Sequence, residues 1–96
     1  MLLDEIRQKK AIIEALGAQF GARRIRVFGS VARRKERPDS DVDLLVDFPR
    51  GYDLFAQRLP LTEKLSELLL RKVEVVPEHE LNRHLREHVM REAVEL

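Results

Sequence analysis

Leu3, Ile6, Ile13 and Leu16 recur at roughly helical spacing with Lys and Glu between them. This predicts one amphipathic helix over residues 2–20, stopping near Gly21, with Gly17 weakening its last turn. Arg24 to Phe28 then alternates. Ile25 and Val27 fall on one side and Arg24, Arg26 and Phe28 on the other, which is the pattern of a short strand. Gly29-Ser30 interrupts it, and Ser30, a good capping residue, can start a short helix over Val31 to Lys35. Pro38 and Asp39 mark a turn. Asp41 to Asp47 predicts a second strand with Val42, Leu44 and Val46 on one face and Asp41, Asp43, Leu45 and Asp47 on the other.

Phe48 to Gly51 reads as a loop. Asp53 then caps a helical region whose apolar face is Leu54, Phe55, Leu61, Leu65, Leu68 and Leu69. Pro60 predicts a break there, with the proline in the first turn of the longer piece. Arg71 to Val76 forms the third strand, and Pro77 opens a last helix with Leu81, Leu85, Val89 and Ala93 on one face. The order α-β-α-β-α-β-α implies a small α/β (α+β) fold: a three-stranded mixed sheet with helices packed against it. No repeat, linker or low-complexity segment divides the chain, so residues 1–96 read as a single domain.

Composition changes this picture little. The apolar share, 44%, is ordinary for a globular chain, and a net charge of +1 selects no partner class. Position says more than total charge: Arg33, Arg34, Lys35 and Arg37 cluster just before the acidic strand. With no cysteine, neither a disulfide framework nor a thiolate metal site is available. The N-terminus does not read as a secretory signal and no apolar run approaches a membrane span, so a cytoplasmic protein is expected.

The chemistry concentrates in VFGSVARRKERPDSDVDLLVD, from Val27 to Asp47. Side chains two apart on a strand point the same way, so Asp41 and Asp43 project together with Cα atoms roughly 6.5–7 Å apart. Such a pair suits hard cations. Mg²⁺ binds through one or two carboxylates plus substrate phosphates, and two-metal phosphoryl chemistry places ions about 3.5–4 Å apart. Glu74 is the natural third carboxylate, mid-strand between Val73 and Val75. It would hold the metal that activates an acceptor hydroxyl, or take that hydroxyl's proton. Gly29 lets the backbone approach an anion, Ser30 adds a hydroxyl donor, and Arg33, Arg34, Lys35 and Arg37 can neutralise phosphate charge. Taken singly, a Gly-Ser turn is usually only a turn, and an arginine cluster or a strand Glu usually only a solvated face. It is their combined order and spacing that points to a metal–nucleotide site.

That combination resembles the DNA polymerase beta-like nucleotidyltransferase superfamily. The pattern is Gly-Ser, a gap of about ten residues, Asp-x-Asp, and a later carboxylate on a third strand; here it is carried by Gly29, Ser30, Asp41, Asp43 and Glu74. It is most similar to the stand-alone minimal nucleotidyltransferases (MNT proteins), whose FGSxARG-type and SDxDLLV-type segments read here as FGSVARR and SDVDLLV. The resemblance covers essentially the whole chain. It implies Mg²⁺-dependent transfer of a nucleoside monophosphate, AMP from ATP, to a hydroxyl with release of pyrophosphate. Two Mg²⁺ ions would sit on Asp41, Asp43 and Glu74, and the triphosphate on Gly29 and Ser30, aided by Arg33 and Arg34. It also implies an antitoxin paired with a HEPN-domain toxin, which some members neutralise by adenylylating a tyrosine. Two departures stand out: Glu74 replaces the usual Asp, and Arg34 replaces a common Gly.

Two other readings stay open. One is an inactive antitoxin that neutralises its HEPN partner by occlusion. The other is a small-molecule, aminoglycoside-type transferase, which lacks room here for an acceptor domain. One tyrosine and four phenylalanines make no base-stacking platform, so direct nucleic-acid binding is not expected. Self-association is open. The last helix and the segment 48–60, with Phe48, Tyr52 and Phe55, are candidate partner contacts. His84 and His88 lie four apart, a zinc-compatible spacing, but read as a solvated helix face.

Overall fold

A computed structural model describes residues 1–96. The N-terminal apolar stripe folds as two helices, α1 (Leu2–Gln8) and α2 (Lys10–Gln19), where one was expected. The break falls at Lys9, whose ψ of 14° turns the chain. Between Ile6 and Ile13 no side chain is buried, so no packing holds the axis straight. Lys9 Nζ instead donates to the Leu68 carbonyl at 3.2 Å. Gly17 contributes more than a weak last turn. It is buried, and a Cβ there would stand 2.7 Å from Ile25 Cδ1, so glycine is what lets α2 lie close on the sheet.

The strands are β1 (Arg23–Phe28), β2 (Val42–Asp47), β3 (Val73–Pro77) and β4 (Val94–Glu95), in the order β3-β2-β1-β4. The sheet is mixed, as expected, but has four strands rather than three. β2 runs antiparallel to β1 and parallel to β3, with Val42 opposite Val73, Asp43 opposite Glu74 and Leu44 opposite Val75. β4 pairs antiparallel with β1 through Arg26–Glu95 and Val27–Val94. The crossover from β2 to β3 carries α4 (Leu59–Leu69). Asp53 caps its lead-in turn, Leu54–Arg58, accepting at Oδ1 from the Phe55 and Ala56 amides at 2.9 and 3.0 Å. Pro60 sits in the first turn of α4, where its missing N–H costs nothing.

Pro77 does not open the last helix. It ends β3 in register with Val46, and a turn of 3-10 helix follows at Glu78–Glu80. The last helix, α5 (Arg83–Glu92), starts after Asn82, whose side chain accepts from the Leu85 amide at 2.9 Å. Of the apolar face expected for it, only Val89 is buried, and Leu85 is 52% exposed.

The main core lies on one face of the sheet. Ile25, Val27, Val42, Leu44, Val46, Val73 and Val75 pack there with Leu3, Ile6, Ile13, Leu61, Leu65 and Leu69 from the helices. The opposite face is polar and crossed by α5. Arg26 is buried there, donating to Glu78 Oε2 at 2.9 Å and Asp47 Oδ1 at 3.5 Å and reaching Met90 Sδ of α5 at 3.6 Å. Leu45 is fully buried too, outside the main core cluster. No helix is long and apolar enough to cross a membrane.

Candidate active site

β1 ends at Phe28 in extended geometry, and the chain turns at Gly29 with φ of +73°, a region that favours glycine. A short helix, α3 (Gly29–Ala32), opens there, one residue before the expected Ser30 start. A second constraint is spatial. A Cβ on Gly29 would run into Asp43 Oδ2, well inside van der Waals contact. The glycine turn and the acidic strand are therefore pressed together, and the antiparallel register puts Phe28 opposite Asp43.

On the other side of β2, the parallel register sets Asp43 opposite Glu74. Asp41 lies just before β2, half-buried, with Lys72 Nζ 3.8 Å from its Oδ2. Glu74 is exposed, on the edge strand. The electrostatic result appears at Asp43. Burial pushes its carboxyl up to about 6, helped by the negative charges of Glu74, Asp41 and Glu92 and opposed by Arg33. A carboxyl that resists ionising because it is buried, with other acids beside it, is one whose charged form a hard dication would stabilise. The donors are all oxygen, which suits Mg²⁺. As the side chains stand, no three His, Cys, Asp or Glu residues are gathered closely enough to hold an ion between them. The residue types and charge fit a divalent cation, and ligation would require the side chains to rotate inward.

The basic segment divides its work. Arg33 Nη1 donates to Glu92 Oε2 at 2.8 Å, beside the Gly29 amide, which donates to Glu92 Oε1 at 2.9 Å. Arg34 faces another group and forks onto Asp4 of α1, 2.9 and 3.1 Å from its two oxygens, which holds the Asp4 carboxyl down at about 2. Arg34 has a φ of +56°, so it occupies a backbone geometry that favours glycine. Lys35 and Arg37 are exposed. Arg71 Nη1 ties down the loop beyond them, donating to the Arg37 and Ser40 carbonyls at 3.1 and 3.2 Å.

Other candidates sit apart. Phe48 is buried and stacks on Tyr52 with centroids 4.7 Å apart, while Phe55 is 77% exposed and joins neither. His84 and His88 lie on the exposed face of α5, and His88 Nε2 is 3.4 Å from Glu92 Oε2. The larger cleft, about 650 Å³, is lined by residues such as Ala18, Arg23, Asp47 and Phe48 at the far end of β2, and includes none of Asp41, Asp43 or Glu74. The carboxylates thus occupy an open face rather than a closed pocket. The residue the sequence reading missed is Glu92, one of seventeen acids, with no spacing to single it out.

A tight glycine turn set against a strand of spaced carboxylates on a mixed sheet is an arrangement suited to phosphate-transfer chemistry. Comparison with known proteins gives the family. The nucleotidyltransferase domain family matches residues 9–96, and the chain belongs to it. It is 33% identical over 96 residues to a candidate protein adenylyltransferase of Methanocaldococcus jannaschii, covering 100% of this chain and 99% of that one. It is 40% identical over 79 residues to the protein adenylyltransferase MntA of Thermococcus cleftensis, covering 82% and 79% of the two chains. Among solved structures, a candidate minimal nucleotidyltransferase superposes with a TM-score of 0.86 at 45% identity, covering 100% of this chain and 97% of the other. A chain of a toxin–antitoxin solved with AMP-PNP superposes with a TM-score of 0.75 at 25% identity, over 91% and 70% of the two chains. The chain is a nucleotidyltransferase of the minimal type.

Proposed function

We propose that this protein transfers AMP from ATP to a hydroxyl of a partner protein, a tyrosine of a HEPN-domain toxin, and thereby acts as an antitoxin. The observation that carries the reading is the meeting of Gly29 with Asp43, and of Asp43 with Glu74 in register, at one point of the sheet. Support for the acceptor class comes from relatives named protein adenylyltransferase, and for the partner class from the toxin–antitoxin neighbour solved with AMP-PNP. Support for a macromolecular acceptor is the open, cleft-free setting of the carboxylates, which leaves the acceptor surface to a second protein.

In this reading Asp41, Asp43 and Glu74 hold two Mg²⁺ ions, which when bound neutralise the triphosphate and polarise the acceptor hydroxyl. Gly29, Ser30, Arg33 and Arg34 take the triphosphate oxygens. Arg33 is already at the Gly29 turn, whereas Arg34 must first leave Asp4. The acceptor oxygen forms a bond to the α-phosphorus as the bond to the β-phosphate's bridging oxygen breaks. Pyrophosphate departs with the electron pair, and a site carboxylate takes the hydroxyl proton. Glu74, the exposed one of the three, is the candidate for that proton. The protein works in the cytoplasm as one domain.

The test is label transfer from α-labelled ATP to the co-purified partner. Mg²⁺-dependent labelling of the partner is expected, abolished by chelation and by Asp41→Asn with Asp43→Asn. If the doubly substituted protein still neutralises the toxin, with no label moved by the parent, the transfer reading fails. Neutralisation would then be by occlusion.

A further inference from the structure

Glu92, the last residue of α5, holds both of its oxygens in the place where the proposed function puts phosphate. Oε1 accepts from the Gly29 amide at 2.9 Å. Oε2 accepts from Arg33 Nη1 at 2.8 Å and lies 3.4 Å from His88 Nε2. The Glu92 side chain is only 14% exposed, so this is a seated carboxylate and not a passing surface contact. An ionised carboxylate and a phosphate use the same donors in the same way. One amide N–H serves one strong acceptor, and two anions within a few ångströms of each other repel.

From this we infer that Glu92 is a latch: it occupies the Gly29–Arg33 cradle in the free protein and must leave before a nucleoside triphosphate can bind. The inference rests on the reading of Gly29 and Arg33 as phosphate contacts. The build of α5 suits such a device. Across its ten residues only Val89 is buried, so the helix is lightly packed. Two residues beyond Glu92 the chain is pinned by the two β4 pairings and by Arg24, which donates to Glu95 Oε1 at 2.8 Å, so this end of the helix stays in place. What swings out is the Glu92 side chain, by rotation about its own bonds, while β4 and the main core on the opposite face of the sheet stay intact. The same motion would remove a negative charge from beside Asp43 and leave room there for the nucleotide's metal ions.

The test is binding of Mg²⁺–AMP-PNP to the full chain by calorimetry, comparing the parent with Glu92→Ala and with Glu87→Gln as a charge control on the exposed face of α5. A latch closed nine times in ten raises the apparent Kd about tenfold, so Glu92→Ala is expected to bind roughly three- to tenfold more tightly. Glu87→Gln is expected to stay within about twofold of the parent, because an exposed charge is screened. Equal binding by parent and Glu92→Ala, or an equal gain from Glu87→Gln, overturns the latch and leaves the site reading intact. No binding by any of the three overturns the site reading and the latch with it. A second measurement needs no variant. In an amide NMR titration of the parent, the Met90–Ala93 signals should move at the same nucleotide concentrations as Gly29. Movement of Gly29 with α5 unmoved would refute the latch.

Discussion

Asp43→Asn should make the nucleotide-free protein more stable at neutral pH, although it removes a residue the proposed chemistry requires. In the folded chain the Asp43 carboxyl is pushed from 3.8 up to about 6, first by burial and then by Glu74, Asp41 and Glu92. The folded state thus holds the proton more tightly than the unfolded one. The sign follows: below about pH 4 the carboxyl is neutral in both states and costs nothing. As pH rises toward 6 the unfolded chain ionises freely while the folded chain resists, so stability falls, and above about 6 the full penalty is present. The displacement from 3.8 to about 6 is worth about 3 kcal/mol before screening. Because the carboxyl is only half-buried, water screens much of this, and about 1–2 kcal/mol should remain. Asparagine has nearly the same shape and no charge, so it recovers that amount. For a domain of this size the gain is roughly 5–10 °C in Tm at pH 8. The assay is urea unfolding of parent and variant at pH 8 and pH 4, without metal. A gain at pH 8 that disappears at pH 4 is expected. An equal difference at both pH values, or a loss at pH 8, would show that Asp43 is not under electrostatic strain.

The remaining predictions concern the basic residues. Arg26→Ala removes the buried guanidinium between Glu78 and Asp47, leaving two acids facing each other, and should cost about 3 kcal/mol at pH 7 by urea unfolding. A loss under about 1 kcal/mol would mean that water replaces the arginine without penalty. Arg34 sits at a φ of +56°. Arg34→Gly and Arg34→Ala both delete the Asp4 pair, so relief of backbone strain, partly offset by glycine's freer unfolded chain, separates them, and the glycine variant should be more stable by about 1 kcal/mol. Equal urea midpoints would refute backbone strain at Arg34.

Where sequence distance maps simply onto space, the fold was legible. A strand's period of two placed Val42, Leu44 and Val46 in the core. The same period put Asp43 on the face that meets Gly29, and the register set it opposite Glu74. Capping chemistry found Asp53 and the role of Pro60, because both act within a few residues of themselves. The second face of the sheet was not legible. The alternation gave Leu45 to the polar face, yet it is fully buried, and Arg26 beside it is buried as well. Hydrophobic periodicity looks for helices that dock by apolar stripes. α5 crosses a face made of Arg26, Asp47 and Leu45, and holds on through Met90, Glu92 and Val89. Of its apolar stripe of Leu81, Leu85, Val89 and Ala93 only Val89 is buried, because polar groups do most of the docking, and the two-residue β4 after it left no pattern to read.

The same reasoning explains why the components of the site were readable and the latch was not. Gly29 and Ser30 lie in the turn after β1, Asp43 in the strand paired with β1 and Asp41 just ahead of that strand, so local geometry fixes the meeting of Gly29 with Asp43. Whether Gly29 faces solvent or a carboxylate depends on where a helix more than fifty residues later comes to rest. There the Glu92 side chain is held by its pairs with Arg33 and the Gly29 amide, which carry little net energy while water is the alternative partner. Weak pairs that leave no mark in the sequence are also the ones a nucleotide can displace. A latch fixed by an apolar stripe would have been easy to predict and too costly to open.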